Sequence, residues 1–132
     1  MASLTEQQRD FLKNPYVGVV TTLRADGSAH NTVVWVDVDA DGVSFNTAHG
    51  RCKPRNLARD PRVALTVVDP ADPYKWVSVS GRATLTDEGA EDQIDNLAQK
   101  YIGQFPYPWR KPDERRVSVR IAPEKIDASG LD

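Results

Sequence analysis

Three cations, Arg51, Lys53 and Arg55, stand at alternate positions in the segment Asn46-Thr47-Ala48-His49-Gly50-Arg51-Cys52-Lys53-Pro54-Arg55-Asn56-Leu57. Such side chains hold anions: arginine offers a planar fork of donors that matches phosphate, and lysine a mobile point charge. The segment leaves a strand-like stretch, Val43–Thr47, and enters Pro54, which presets the first turn of a helix. A helix starting there offers the N–H groups of Arg55 and Asn56, with the positive end of its dipole, to an oxygen. Gly50 lets the backbone come close. As a bare pattern R-x-K-x-R is common, and a solvated loop is the competing reading. The strand-to-helix placement is what sets an anion site beside it.

Composition limits what else the chain can do. Lys and Arg number 17 against 19 Asp and Glu, a formal net charge of −2 over 132 residues. That balance argues against general affinity for nucleic acid or anionic membranes, so an anion must be held locally. Cys52 is the single cysteine, which excludes an internal disulfide and a cysteine-built metal site. No histidine or carboxylate pair has metal-ligand spacing. His30 and His49 lack an evident carboxylate partner and read as surface or turn residues. Cations around Cys52 could lower its thiol pKa, but no histidine lies near it to complete a nucleophile. Ser78, Ser80 and Ser118 fall in strands and suggest no triad. No catalytic side chain is assigned. With no signal-peptide pattern and no apolar run of bilayer length, the expectation is a reduced, cytoplasmic protein.

The elements that must position the basic segment read as one domain, residues 1–132. Thr5 and Gln8 have capping-box spacing ahead of a short helix ending at Asn14-Pro15. Strands follow at Tyr16–Arg24, Ala29–Val38 and Val43–Thr47, with Asp26-Gly27 and Asp41-Gly42 turns, predicting a three-stranded antiparallel meander. On the second strand Thr32, Val34, Val36 and Val38 share one face, and Asn31, Val33, Trp35 and Asp37 the other. A short helix is expected over Pro54–Arg59, then strands at Arg62–Val68 and Tyr74–Leu85. Ala90, Ile94, Leu97, Ala98 and Tyr101 recur at helical steps within Asp87–Ile102. The loop Phe105-Pro106-Tyr107-Pro108-Trp109 leads to a last strand, Arg115–Ala122, with brief pairing possible at Lys125–Ala128. About six antiparallel strands with two or three small helices imply a mainly β barrel. Trp35, Trp76 and Trp109 could stack on a ligand, though core or interface packing competes for each; Trp109 is the best placed to cover a substrate or meet a partner.

Several motifs in order carry a resemblance: a strand–Asp-Gly-Ser–strand hairpin, a tryptophan closing the second strand, Asn46-Thr47, R-x-K-x-x-N-L-x-R-D-P-R-V from Arg51, and Trp76-Val77-Ser78-Val79-Ser80-Gly81. From about Leu4 to Ile126 the chain resembles the flavin/deazaflavin oxidoreductases related to pyridoxamine 5′-phosphate oxidase, particularly their F420-binding B group. The resemblance implies a split β-barrel homodimer with cofactor sites along the subunit interface. It assigns Arg51, Lys53, Arg55 and Asn56 to the cofactor phosphate. Asn31, Thr32, Val33 and Val34 fall beside the ring, Asn46, Thr47 and Ala48 along the ring and ribityl region, and Trp76 on the wall of the same cleft. Val33 departs from the proline that many members carry there. The implied activity is hydride transfer from reduced F420 to an unsaturated or quinone-like small molecule. An FMN-binding oxidase is the alternative, although the chain stops soon after its last strand, without the substrate-recognising segment of a true oxidase. A non-catalytic cofactor carrier or sensor is the third reading.

Overall fold

The computed structural model describes residues 2–131. The first helix, α1 (Glu6–Leu12), is closed by the expected capping box: Gln8 N–H donates to Thr5 Oγ1 at 3.1 Å and Thr5 N–H to Gln8 Oε1 at 2.9 Å. Phe11 and Leu12 are buried. Seven antiparallel strands follow: β1 (Gly18–Leu23), β2 (Ala29–Val34), β3 (Val36–Asp39), β4 (Gly42–Ala48), β5 (Arg62–Asp69), β6 (Asp72–Thr86) and β7 (Arg116–Ser129). Helix α2 (Cys52–Arg59) joins β4 to β5, and α3 (Ala90–Ile102) precedes β7. The fold is a mainly β split barrel, and one sheet in the order β2-β1-β5-β6-β7-β4-β3 makes it.

That order corrects the meander. The β1–β2 and β3–β4 hairpins sit at opposite edges of the sheet. The stretch read as one strand from Ala29 to Val38 breaks at Trp35. Its first half pairs with β1 and its second with β4, so the chain itself links the two edges and curls the sheet. The alternation survives the break: Val34 and Val36 both face the interior. The seventh strand arises from this division.

Two other boundaries move for identifiable reasons. β7 runs unbroken through the region expected to pair only briefly, because a register shift opposite Ser80/Gly81 accommodates the Pro123 side of the ladder. Gly81 is needed there: a Cβ on it would lie 1.9 Å from the Ala122 carbonyl oxygen. Helix α3 begins at Ala90 rather than Asp87, since Gly89 turns left-handed (φ 78°) at its N-cap.

The core is the inward row of every strand. Val20, Val36, Phe45, Leu65, Val77 and Val119 are essentially sealed. At roughly 1.5–3 kcal/mol for each large apolar side chain, this row outweighs the ion pairs of the surface, each worth about 0–1 kcal/mol. No helix among the described residues is long and apolar enough to cross a membrane.

The seam at Trp35 is stitched by α3. Tyr101 Oη accepts from Val36 N–H at 2.9 Å and donates to the Tyr16 carbonyl at 2.7 Å. Lys100 Nζ donates to the Leu12 and Val36 carbonyls at 2.8 and 2.7 Å. Burial lowers the Lys100 pKa from its usual value.

Candidate functional site

A cleft of about 220 Å³ opens where β2 ends and the sheet splits. Its floor is Val33, Val34 and Trp35; α2 contributes Lys53, with Arg51 at its N-cap; α3 contributes Ile94 and Leu97. The 104–115 loop folds over it with Tyr107 and Trp109, while Asn46 and Arg116 close it from β4 and β7.

The cations expected to hold an anion lie on the α2 side. The helix starts at Cys52, two residues ahead of the expected Pro54. Asn56 N–H therefore falls within the intrahelical ladder, and the free donors shift to Cys52 and Lys53. Arg51 N–H is taken by the Ala48 carbonyl at 3.3 Å, and no side chain caps the helix. Lys53 is half-buried and has no carboxylate partner among the described residues. Burial first, and the neighbouring Arg51 second, lower its pKa. A cation so placed gains most from an anion that restores its lost hydration.

Arg51 Nη2 reaches Glu114 Oε2 at 3.2 Å, and Arg116 Nε reaches Glu114 Oε1 at 2.9 Å. One nearly buried carboxylate thus serves two arginines of the cleft. Asn46 lines the cleft, but its amide donor is committed to α3, through the Ala90 carbonyl at 2.8 Å and Gln93 Oε1 at 3.0 Å.

Of the residues expected at the site, the structure brings together Val33, Val34, Asn46, Arg51 and Lys53. It places the others elsewhere in this chain. Asn56 is buried and donates to Thr22 Oγ1 at 3.0 Å inside the barrel. Arg55 points to solvent. Thr47 and Ala48 are sealed. Thr32 alternates to the face opposite Val33, and its hydroxyl is buried without a partner. Asn31 lies on the outer face of the sheet and accepts a hydrogen bond from Thr21. Trp76 also lies on that face, across from Val68, and lines a separate open groove with Thr66, Ser78 and Asp127. His49, read as partnerless, contacts Asp87 at 2.5 Å, a carboxylate 38 positions away that spacing could not reveal.

Residue spacing missed the cleft's other half. Ile94 and Leu97 read only as core residues, and nothing near Arg116 or Glu114 marked them. In the sequence Trp35 and Trp109 are stacking candidates without a common address, and Tyr107 is only a residue of the loop. They meet here: Trp35 stacks on Tyr101 (5.5 Å, 10°), while Tyr107 and Trp109 approach it at 6.0 and 6.2 Å. The Arg110 guanidinium pins the loop to Glu91 and Asp95 of α3 at 3.1 and 2.9 Å.

The family model described as pyridoxamine 5′-phosphate oxidase matches residues 4–130. The chain belongs to the pyridoxamine 5′-phosphate oxidase family. It is similar to the F420H2-dependent biliverdin reductase of Mycobacterium tuberculosis, at 28% identity over 125 residues, 93% of this chain and 86% of that protein. A solved structure titled F420 reductase superposes with a TM-score of 0.81 at 26% identity, covering 94% of this chain and 98% of that one. A putative pyridoxamine 5′-phosphate oxidase from Listeria innocua shares the fold, with a TM-score of 0.68 at 21% identity over 90% of this chain and 92% of its own. These two structures share the fold at low identity.

Proposed function

We propose that this protein is an F420-dependent oxidoreductase that passes a hydride from the reduced deazaflavin to an unsaturated or quinone-like small molecule. The observation that carries the reading is Lys53: a partly desolvated ammonium without a carboxylate partner among the described residues, at the uncapped start of α2 and next to Arg51. These residues fit a phosphate ester. The similarity to proteins named for F420 favours the deazaflavin over FMN.

When bound, such a cofactor supplies the hydride chemistry, and the protein supplies position, charge and exclusion of water. Lys53, the free N–H groups of Cys52 and Lys53, and an Arg51 released from Glu114 would hold the phosphate. Val33, 64% exposed at the cleft mouth, would give a flat ring an apolar bearing, in the region where Asn31, Thr32 and Val34 present backbone. No histidine lines the cleft, and Glu114 is held by two arginines. Neither supplies an acid or base, so the proton that completes reduction would come from solvent.

We take the working unit to be a cytoplasmic homodimer. Val19, Val33 and Val68 stand exposed on the outer face of β1, β2 and β5, with exposed Tyr74 and half-buried Trp76 on β6. Contiguous apolar surface of this kind marks an interaction site. Because Val33 belongs both to this face and to the cleft, a partner seated on the face would border the cleft. The side chains of Trp76, Asn31 and Arg55 would then meet a cofactor only across the two subunits.

Titration of purified protein with F420, followed by quenching of its fluorescence, tests the reading. Lys53→Ala and Arg51→Ala should each weaken binding by roughly 1.5–3 kcal/mol, the range of a charge-assisted contact, with the circular dichroism unchanged. Unaltered affinity in both variants would remove the basic corner from the site. A yellow protein with flavin absorption, filled by FMN, would replace F420. Tight F420 binding without oxidation of the reduced form by any enone or quinone would make it a carrier.

A further inference from the structure

Glu114 answers two arginines of the cleft, and it holds them on different terms. Arg116 is 4% exposed. Its Nε and Nη2 both lie 2.9 Å from Glu114 Oε1, and its guanidinium carbon lies 4.8 Å from the Tyr107 ring centre. A buried guanidinium parted from its carboxylate would be an uncompensated charge, so this contact is fixed. Arg51 instead reaches the other oxygen, Oε2, through Nη2 alone at 3.2 Å. Its side chain is 49% exposed, whereas that of Glu114 is only 8% exposed. One partner is sealed in place and the other stands half in water.

That asymmetry makes the Arg51 contact cheap to break. If Arg51 leaves, Arg116 still neutralises Glu114, so no buried charge is orphaned. Arg51 itself loses only a pair of the weak, solvent-exposed kind. The charges favour departure once an anion arrives. Arg51, Lys53 and Arg116 line the cleft, and Glu114 is the carboxylate in contact with two of them. An anion beside Lys53 would offer Arg51 a replacement partner, and would itself gain Lys53 and the free N–H groups at the start of α2. Until then Glu114 takes the place of such an anion.

We propose that Glu114 is an internal competitor at the anion site. Its carboxylate withholds Arg51 in the ligand-free protein, and Arg51 swings from Glu114 to the cofactor phosphate on binding while Arg116 stays. Glu114 is thus a positioning residue that acts through Arg51 and lowers the apparent affinity by the fraction of Arg51 it holds. Its place in the chain adds a consequence. Glu114 lies at the end of the 104–115 loop, whose Tyr107 and Trp109 line the cleft, so the swing also removes an ion pair that ties this loop to the start of α2. The proposal concerns the regulation of the site inferred above and rests on that reading.

Phenylglyoxal labelling of Arg51 in the ligand-free protein, read by peptide mass spectrometry, tests the withholding. Glu114→Gln should speed Arg51 labelling at least about threefold. Arg110, held by Glu91 and Asp95 instead, should keep its rate. Equal labelling of Arg51 in the two proteins overturns the proposal. Titration with F420 tests the competition. Glu114→Gln should bind F420 tighter by a similar factor, at least about threefold, and the gain should shrink when Arg51 is also replaced by Ala. No gain overturns the proposal, and so does an equal gain without Arg51, which would mean that Glu114 merely repels the phosphate. If Glu114→Gln does not fold, the wild-type complex decides: a crystal structure with F420 should show Arg51 off Glu114 and Arg116 still on it. Arg51 still bonded to Glu114 beside bound F420 overturns the swing. Failure of the wild-type protein to bind F420 sinks the cofactor reading, whereas labelling needs no ligand and judges the hold of Glu114 on Arg51 by itself.

Discussion

Over β4 and β7 the outer face of the sheet lies beneath α3. Gln93 reaches down to Asp37 and Ser44 at 3.1 and 3.0 Å, Asn46 reaches up to Ala90, and Ile94, Leu97 and Ala98 are buried in the contact. Over β2, β1, β5 and β6 the corresponding face leaves Val19, Val33, Val68 and Tyr74 exposed. One sheet has thus solved one half of its outer surface with its own chain and left the other apolar and open. Polar side chains under α3 are satisfied by that helix, while valines on the open half have only water. The difference is what supports the dimer proposed above: the second half keeps an apolar face that the single chain leaves to water.

Emptying the covered half should produce the largest effect. Leu97→Ala removes a sealed side chain between α3 and the sheet and should cost about 2–5 kcal/mol in urea unfolding, with the cleft disturbed as well. On the open half, Val19→Glu should leave the stability of a monomer within about 0.5 kcal/mol. It should weaken self-association by about 2 kcal/mol or more, read by analytical ultracentrifugation. Equal sedimentation of wild type and variant would sink the interface assignment, and a large loss of stability would show that the open half is core after all.

The cleft lies between the halves, and binding of the proposed cofactor should depend on pH through Lys53. Its lowered pKa means that the ammonium is lost earlier in an alkaline titration than from a free lysine, and a bound phosphate opposes that loss. F420 affinity should therefore fall as pH rises through the Lys53 pKa. The fall should be up to ~1.4 kcal/mol for each pH unit the phosphate moves that pKa, and Lys53→Ala should flatten it. The smallest effect belongs to the rim of the covered half. Asp39 accepts from both Arg120 terminal nitrogens at 3.0 and 2.7 Å, and that hydrogen bonding holds its pKa below 3.8. A depressed folded-state value stabilises above the unfolded pKa, and the gain is lost as pH falls through the folded one. Asp39→Asn should therefore cost no more than about 1 kcal/mol at neutral pH, since the pair is exposed. That cost should vanish in thermal melts taken well below pH 3.8.

What the sequence made legible follows from how local each feature is. The Thr5–Gln8 capping box, the Asp26-Gly27 hairpin and the α3 periodicity are written within a few residues, and the structure keeps them. The break at Trp35 is not, because Val34 and Val36 continue the same alternation across it; only pairing to strands at opposite sheet edges reveals it. The resemblance named the split barrel on motif order, and the family and fold agree. At the cleft, Arg51 and Lys53 stand together because they are sequence neighbours. Arg116, Glu114 and Tyr107 join them from more than fifty residues away, so no local pattern could have gathered them. Asn56, assigned by the resemblance, has its amide bonded to Thr22 in the core, a contact with a residue 34 positions away that no local pattern shows.

The α3 helix has two duties. Ile94 and Leu97 shape the cleft, while one turn further on Lys100 and Tyr101 clamp the junction at Val36. Remodelling this helix to admit a bulkier guest would loosen the clamp that shuts the barrel. Relatives that adopt new guests should therefore vary the 104–115 loop, which is anchored by side-chain ion pairs and lies outside the sheet, while residues 94–101 stay constrained by their mechanical role.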